Sequence, residues 1–146
     1  MEPRLLIVED SKEDLAAILR ALDCSAATAQ ITYSSTGDDA LETLGALVAD
    51  GKISRLPQII LLDLNLPGTD GREVLSELKS DRLLNVIPVV VLTTSTNPRD
   101  VAYCYRKGAN GYCVKGGDRA TFVETIQAFK RFWLQTAILP NRVDER

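Results

Sequence analysis

The chain has 146 residues, 45% of them hydrophobic and 25% charged, which suits one globular domain and argues against intrinsic disorder, a collagen-like repeat or a disulfide scaffold. Its 17 Lys and Arg against 20 Asp and Glu leave a net charge of -3, without the basic surplus of a nucleic-acid binder. It contains 0 histidines, which removes imidazole-based Ser or Cys triads, most zinc sites and any role as a histidine phosphodonor.

Apolar runs alternate with helical patterns along the chain. Leu5-Leu6-Ile7-Val8 reads as a buried strand, and Leu15, Ile18, Leu19 and Leu22 follow at helical spacing with Ser11 as N-cap. Ala29-Gln30-Ile31-Thr32-Tyr33 alternates like an edge strand. Ala40, Leu41, Leu44, Leu47 and Val48 form the next helical stripe, capped by Ser35 or Thr36 and ended by Gly51. After a longer connection from Lys52 to Pro57 comes Ile59-Ile60-Leu61-Leu62, the most apolar strand. Val74, Leu75 and Leu78 mark a third helix after Asp70-Gly71. Val89-Val90-Val91-Leu92 is a fourth strand introduced by Pro88, and Thr93 to Ser95 suit the cap region of a fourth helix carrying Val101 and Tyr105, which Gly108 closes. Gly111-Tyr112-Cys113-Val114 is a fifth strand, and Phe122, Ile126, Phe129 and Trp133 give a fifth helix that ends before Pro140.

Strands that are continuously apolar and separated by helices predict an α/β fold, a parallel sheet covered on both faces. Right-handed crossovers restrict the strand order, and 2-1-3-4-5 is the order expected here. The domain is expected to span residues 1–133, with a tail from Leu134 to the end. Cys24, Cys104 and Cys113 are widely spaced without a CxxC and read as small apolar residues in a reducing cytoplasm. The start, Met1-Glu2-Pro3-Arg4-Leu5-Leu6, is too short an apolar run for a signal peptide. No segment approaches the roughly 20 apolar residues of a bilayer span. A cytoplasmic protein without membrane or nucleic-acid contacts is expected.

In such a sheet, ligands bind beyond the carboxyl ends of the strands. The first strand ends in Glu9-Asp10, the third in Asp63-Leu64-Asn65, the fourth in Thr93-Thr94-Ser95 and the fifth in Lys115-Gly116-Gly117. With strands one and three adjacent, three carboxylates crowd one rim beside a hydroxyl and an ammonium. Crowded carboxylates repel each other unless a cation sits among them. A few side-chain oxygens completed by water suit Mg²⁺, and a hard cation beside a carboxylate suits phosphoryl transfer. The constellation points to an aspartate that accepts a phosphoryl group.

The motifs Val8-Glu9-Asp10-Ser11, Leu61-Leu62-Asp63-Leu64-Asn65-Leu66-Pro67-Gly68-Thr69-Asp70-Gly71, Pro88-Val89-Val90-Val91-Leu92-Thr93-Thr94-Ser95 and Gly108-Ala109-Asn110-Gly111-Tyr112-Cys113-Val114-Lys115 resemble those of two-component response-regulator receiver domains, over nearly the whole chain. The resemblance implies a flavodoxin-like receiver fold and a phosphoacceptor signalling protein rather than an enzyme with turnover. Asp63 would be the phosphoacceptor. Glu9, Asp10, Asp63 and the backbone carbonyl of Asn65 would ligate Mg²⁺, Lys115 and Thr93 would contact phosphoryl oxygens, and Tyr112 would be the switch aromatic that moves with Thr93. One departure stands out. Receivers usually place proline after the lysine, whereas Gly116-Gly117 follow here, so either a positive φ reaches the same path or the lysine is less firmly held.

The end of the chain, Phe132-Trp133-Leu134 and Ile138-Leu139-Pro140, resembles the tail of stand-alone regulators that work with bacterial and cyanobacterial phytochrome kinases. Leu92-Thr93-Thr94-Ser95 and the connection before Pro57 point the same way. That implies a phytochrome-type sensor histidine kinase as partner and a homodimer formed through the fifth helix and the tail. Phe132 and Trp133 are adjacent and cannot both face one core, which favours a partner surface. The chain ends soon after the fifth helix, so output through protein contacts is expected, or a place within a phosphorelay. Two other readings remain open. One is a degenerate receiver acting only as a binding module. The other is an aspartyl phosphatase, which Asn65 disfavours because an amide cannot serve as the general acid.

Overall fold

The computed structural model describes residues 2–22 and 29–141. The parallel strands β1 (Arg4–Val8), β2 (Gln30–Ser34), β3 (Ile59–Leu62), β4 (Val89–Thr93) and β5 (Gly111–Val114) form a 5-stranded sheet in the expected order β2-β1-β3-β4-β5. Helices α1 (Lys12–Leu22), α2 (Gly37–Ala49), α3 (Gly71–Ser80), α4 (Pro98–Arg106) and α5 (Arg119–Phe129) follow the strands in turn. Cys24 and residues 142–146 of the expected tail lie outside the described residues.

Side chains alternate across each strand and so divide between two cores. Leu6, Val8, Ile60, Leu62, Val89 and Val91 face Leu44, Val74, Leu75 and Cys104 of α2, α3 and α4. Leu5, Ile7, Ile59, Leu61, Val90 and Leu92 face Ile18 of α1 and Phe122 and Ile126 of α5. The inner strands β1, β3 and β4 are buried almost throughout, which explains their unbroken apolar sequence. β2 is an edge, and its Tyr33 is exposed.

Local signals end the helices largely where the residue types predict. Ser11 Oγ accepts the Asp14 N–H at 3.1 Å and Thr36 Oγ1 accepts the Asp39 N–H at 3.0 Å. Gly51 and Gly108 follow α2 and α4 at φ 71° and 102°, a region glycine enters without steric cost. The cap of α4 is Asn97, whose Oδ1 accepts the Arg99 N–H at 2.9 Å. Ser95 lies just before it and binds into the same turn, accepting the Asn97 N–H at 3.2 Å.

Two expectations need correction. Neither Gly116 nor Gly117 has a positive φ. What Gly116 supplies is space, because a Cβ there would meet Thr121 Cγ2 at 2.5 Å. The fifth helix also does not run regularly through Trp133. It changes after Phe129 to π-helical turns over Lys130–Thr136, which bury Lys130 and Leu134 and leave Phe132 52% exposed. Trp133 and Leu139 pack against the α1/α5 core, and Gln58 Nε2 donates to the Pro140 carbonyl at 3.4 Å. The tail up to residue 141 therefore folds back in part onto its own sheet.

Candidate functional site: an acidic rim closed by a lysine

The register decides the site. Val8 pairs with Leu62, Leu62 with Val91 and Thr93 with Val114, so the carboxyl ends of four strands align. The residues that follow them leave the sheet along one rim. Glu9 and Asp10 come after β1, Asp63 after β3, and Lys115 after β5. The turn after Asp63 is held tightly: Gly71 N–H donates to the Leu64 carbonyl at 2.8 Å, and a Cβ on Gly71 would lie 2.2 Å from the Asp63 carbonyl oxygen.

One oxygen each from Glu9, Asp10 and Asp63 can be chosen so that all lie within 4.8 Å of one another. Glu9 and Asp63 are buried and Asp10 is exposed, so the cluster has a dry floor and a wet entrance. Glu9 Oε2 accepts the Ser11 N–H at 3.1 Å and Asp63 Oδ1 accepts the Asn65 N–H at 3.3 Å. Lys115 crosses above them with its Nζ 2.9 Å from Glu9 Oε1 and 3.3 Å from Asp63 Oδ2. Its side chain is only 8% exposed.

Asp14 was not singled out from the sequence. Its Oδ2 lies 2.7 Å from Lys115 Nζ. Asp14 stands four positions after Asp10, the spacing that brings side chains to one helix face. An acidic residue in a first helical turn is common for dipole reasons alone, so the signal was weak.

One ammonium among four carboxylates leaves the rim strongly negative. Burial, and then the charge of Asp63, push the Glu9 carboxyl up to about 7 despite the opposing pull of Lys115. Burial alone would discharge Lys115, yet its hydrogen bonds to Asp14 and Glu9 and the charge of Asp63 raise it well above its ordinary value. A divalent cation would offset the charge that burial and Asp63 make costly at Glu9, and the all-oxygen donor set fits a hard ion.

Thr93 is fully buried, and its Oγ1 accepts the Ser95 N–H at 3.4 Å. The Tyr112 ring packs on the α2–α4 core, and its hydroxyl donates to the Ser95 carbonyl at 3.0 Å. Both expected switch residues thus meet the same loop residue. Ser95 Oγ in turn donates to Asp100 at 2.5 Å, and Asp100 pairs with Arg72 at 3.0 Å. This Arg72–Asp100 link between α3 and α4 was also invisible in the sequence.

The aligned strand ends, the acidic cluster and the bridging lysine define a phosphoacceptor class of signalling domain. Residues 5–127 match the family of the response regulator receiver domain, and the chain belongs to that family. Response regulator Rcp1 of Synechocystis sp. is 40% identical over 138 residues, covering 93% of this chain and 92% of its own. The crystal structure of the phosphorylated cyanobacterial phytochrome response regulator RcpA superposes with a TM-score of 0.88 at 38% identity, over 96% of this chain and 99% of that one. The Mn²⁺-bound form of Rcp1 gives a TM-score of 0.86 at 38% identity, over 94% and 99% of the two chains. The oxygens of Glu9, Asp10 and Asp63 form a group that could hold a divalent cation. No helix among the described residues is long and apolar enough to cross a membrane.

Proposed function

We propose that this chain is a phosphorylation switch in which Asp63 accepts a phosphoryl group from the phosphohistidine of a sensor kinase, with Mg²⁺ as the resident ion. The observation that carries this reading is the Asp63 carboxylate, buried between the Glu9/Asp10 pair and the Lys115 ammonium. In the transfer an Asp63 oxygen attacks phosphorus. The new O–P bond forms as the N–P bond to the donor imidazole breaks, and the imidazole nitrogen keeps the electron pair.

Glu9, Asp10, Asp63 and the Asn65 carbonyl would hold the ion, which supplies neutralisation of phosphoryl charge when bound. Asn65 N–H and Lys115 Nζ orient the two carboxylate oxygens before reaction. Afterwards Lys115 pairs with one phosphoryl oxygen and the Thr93 hydroxyl donates to another. For that, the loop carrying Thr93 and Ser95 must shift toward the phosphoryl group, and Tyr112 moves with the loop because its hydroxyl is bonded to the Ser95 carbonyl. A small charge-assisted change at the rim is thereby converted into a displaced surface.

The likeness to Rcp1 and RcpA supports a phytochrome-class histidine kinase as donor. Exposed Phe132 and Ile138 support self-association through the end of α5 and the tail, with output through protein contacts. A small phosphodonor such as acetyl phosphate with Mg²⁺ should modify the wild type at Asp63 alone, as read by intact-mass and peptide mass spectrometry. Asp63→Asn should abolish the modification. Stable labelling at a different residue would refute the assignment, and phosphotransfer from a candidate phytochrome kinase tests the partner.

A further inference from the structure

Lys115 makes its shortest contact with the carboxylate that the metal cluster does not include. Nζ lies 2.7 Å from Asp14, 2.9 Å from Glu9 and 3.3 Å from Asp63, while the group of oxygens able to hold an ion comprises Glu9, Asp10 and Asp63. A divalent cation at that group repels the ammonium and draws on the same carboxylates, Glu9 and Asp63, that the lysine uses. Asp14 is the one acceptor of the three that lies outside that group. Its position is set from α1, where its N–H donates to Ser11 Oγ at 3.1 Å, and its side chain stands at the outer, 39% exposed end of the row. On the other side the Lys115 N–H is tied to the Thr93 carbonyl at 2.7 Å, so the stem is anchored but the ammonium depends on its acceptors.

Building on the reading of Asp63 as phosphoacceptor, we infer that Asp14 is a positioning residue that keeps the Lys115 ammonium docked at the rim when a divalent cation occupies the Glu9/Asp10/Asp63 cluster. An ammonium donor is then already in place when phosphoryl oxygens arrive. Asp14 itself forms no bond to phosphorus. Its role is to let two cations share one small site.

The first test needs no phosphodonor. In lysine-ammonium ¹H–¹⁵N spectra, the wild-type Lys115 signal should persist at saturating Mg²⁺, and in Asp14→Asn it should collapse into exchange with solvent as Mg²⁺ is added, with the amide spectrum reporting an intact fold. The second test is labelling by acetyl phosphate at saturating Mg²⁺. Asp14→Asn should slow it by about tenfold, Asp14→Glu should recover most of the rate, and in a Lys115→Ala background the Asn substitution should have no further effect. A Lys115 signal that survives Mg²⁺ in Asp14→Asn overturns the inference. So does an equal slowing with and without Lys115. If wild-type Asp63 is never labelled, the phosphoacceptor reading fails while the spectroscopic result for Asp14 still stands on its own.

Discussion

Glu9 and Asp10 are neighbours in sequence and live in different solvents. Glu9 is 3% exposed and Asp10 faces water, because consecutive residues leaving a strand point to opposite sides. For Glu9 the cost of burial gives a pH dependence whose sign follows directly. Its folded value, about 7, lies above the ordinary value of 4.5, so between these limits the folded state holds the extra proton and stability falls as pH rises. Lys115 is raised further from neutrality and does not titrate in that window. In the metal-free protein, thermal melting followed from about pH 5 to 8 should show this decline, Glu9→Gln should flatten it, and saturating Mg²⁺ should restore stability at the upper end. An unchanged slope in Glu9→Gln would remove Glu9 as the cause. The same proton competes with the cation, so Mg²⁺ affinity read from Trp133 or tyrosine fluorescence should weaken as pH drops through about 7.

Among the elements, the turn from β3 to α3 carries the acceptor and is built around a missing side chain. A Cβ on Gly71 would approach the Asp63 carbonyl oxygen to 2.2 Å and Leu64 Cα to 2.6 Å, both backbone atoms that cannot swing away. Gly71→Ala should therefore cost about 1–3 kcal/mol in denaturant unfolding, as overpacking does, and should also slow labelling of Asp63 because the strain falls on its own peptide. A variant with wild-type stability and labelling would show that this turn relaxes freely. Gly116 is likewise confined, since a Cβ there would meet Thr121 Cγ2 at 2.5 Å and Thr121 Cβ at 2.7 Å, and the latter cannot rotate away. For both glycines, only the packing says which neighbour forbids a larger residue. Similarly, the stripe Phe122, Ile126, Phe129 identified α5, whereas the change to π-helical turns at Lys130 left no mark in a pattern of apolar residues.

At the scale of the whole molecule, the end of the chain divides between two roles. Trp133, Leu134 and Leu139 serve the core under α1 and α5, while Phe132 is 52% and Ile138 99% exposed. If these two side chains are buried only between copies, replacing both with serine should convert a sedimenting dimer to monomer and leave the monomer's unfolding midpoint nearly unchanged. Trp133→Ala should instead lower that midpoint, because it removes intramolecular packing. A wild type that sediments as a monomer at all accessible concentrations, with or without acetyl phosphate, would dispose of the self-association proposal.

Much of this protein was legible before any coordinates. Continuously apolar strands between helical stripes dictate a doubly covered parallel sheet, and the rule that ligands meet the carboxyl ends of such strands turns four separated motifs into one site. Glu9, Asp10, Asp63 and Lys115 do converge as their strand positions predict. These features are encoded locally, residue by residue, and therefore survive reading one segment at a time. What waited for the tertiary structure were relations between segments distant in the chain. Lys115 selects Asp14 as its nearest partner, Arg72 reaches across to Asp100, Thr121 fills the space beside Gly116, and the tail folds back in part onto its own sheet. Such pairings depend on the distance and facing of two side chains in space, a quantity that composition, periodicity and motif spacing do not contain.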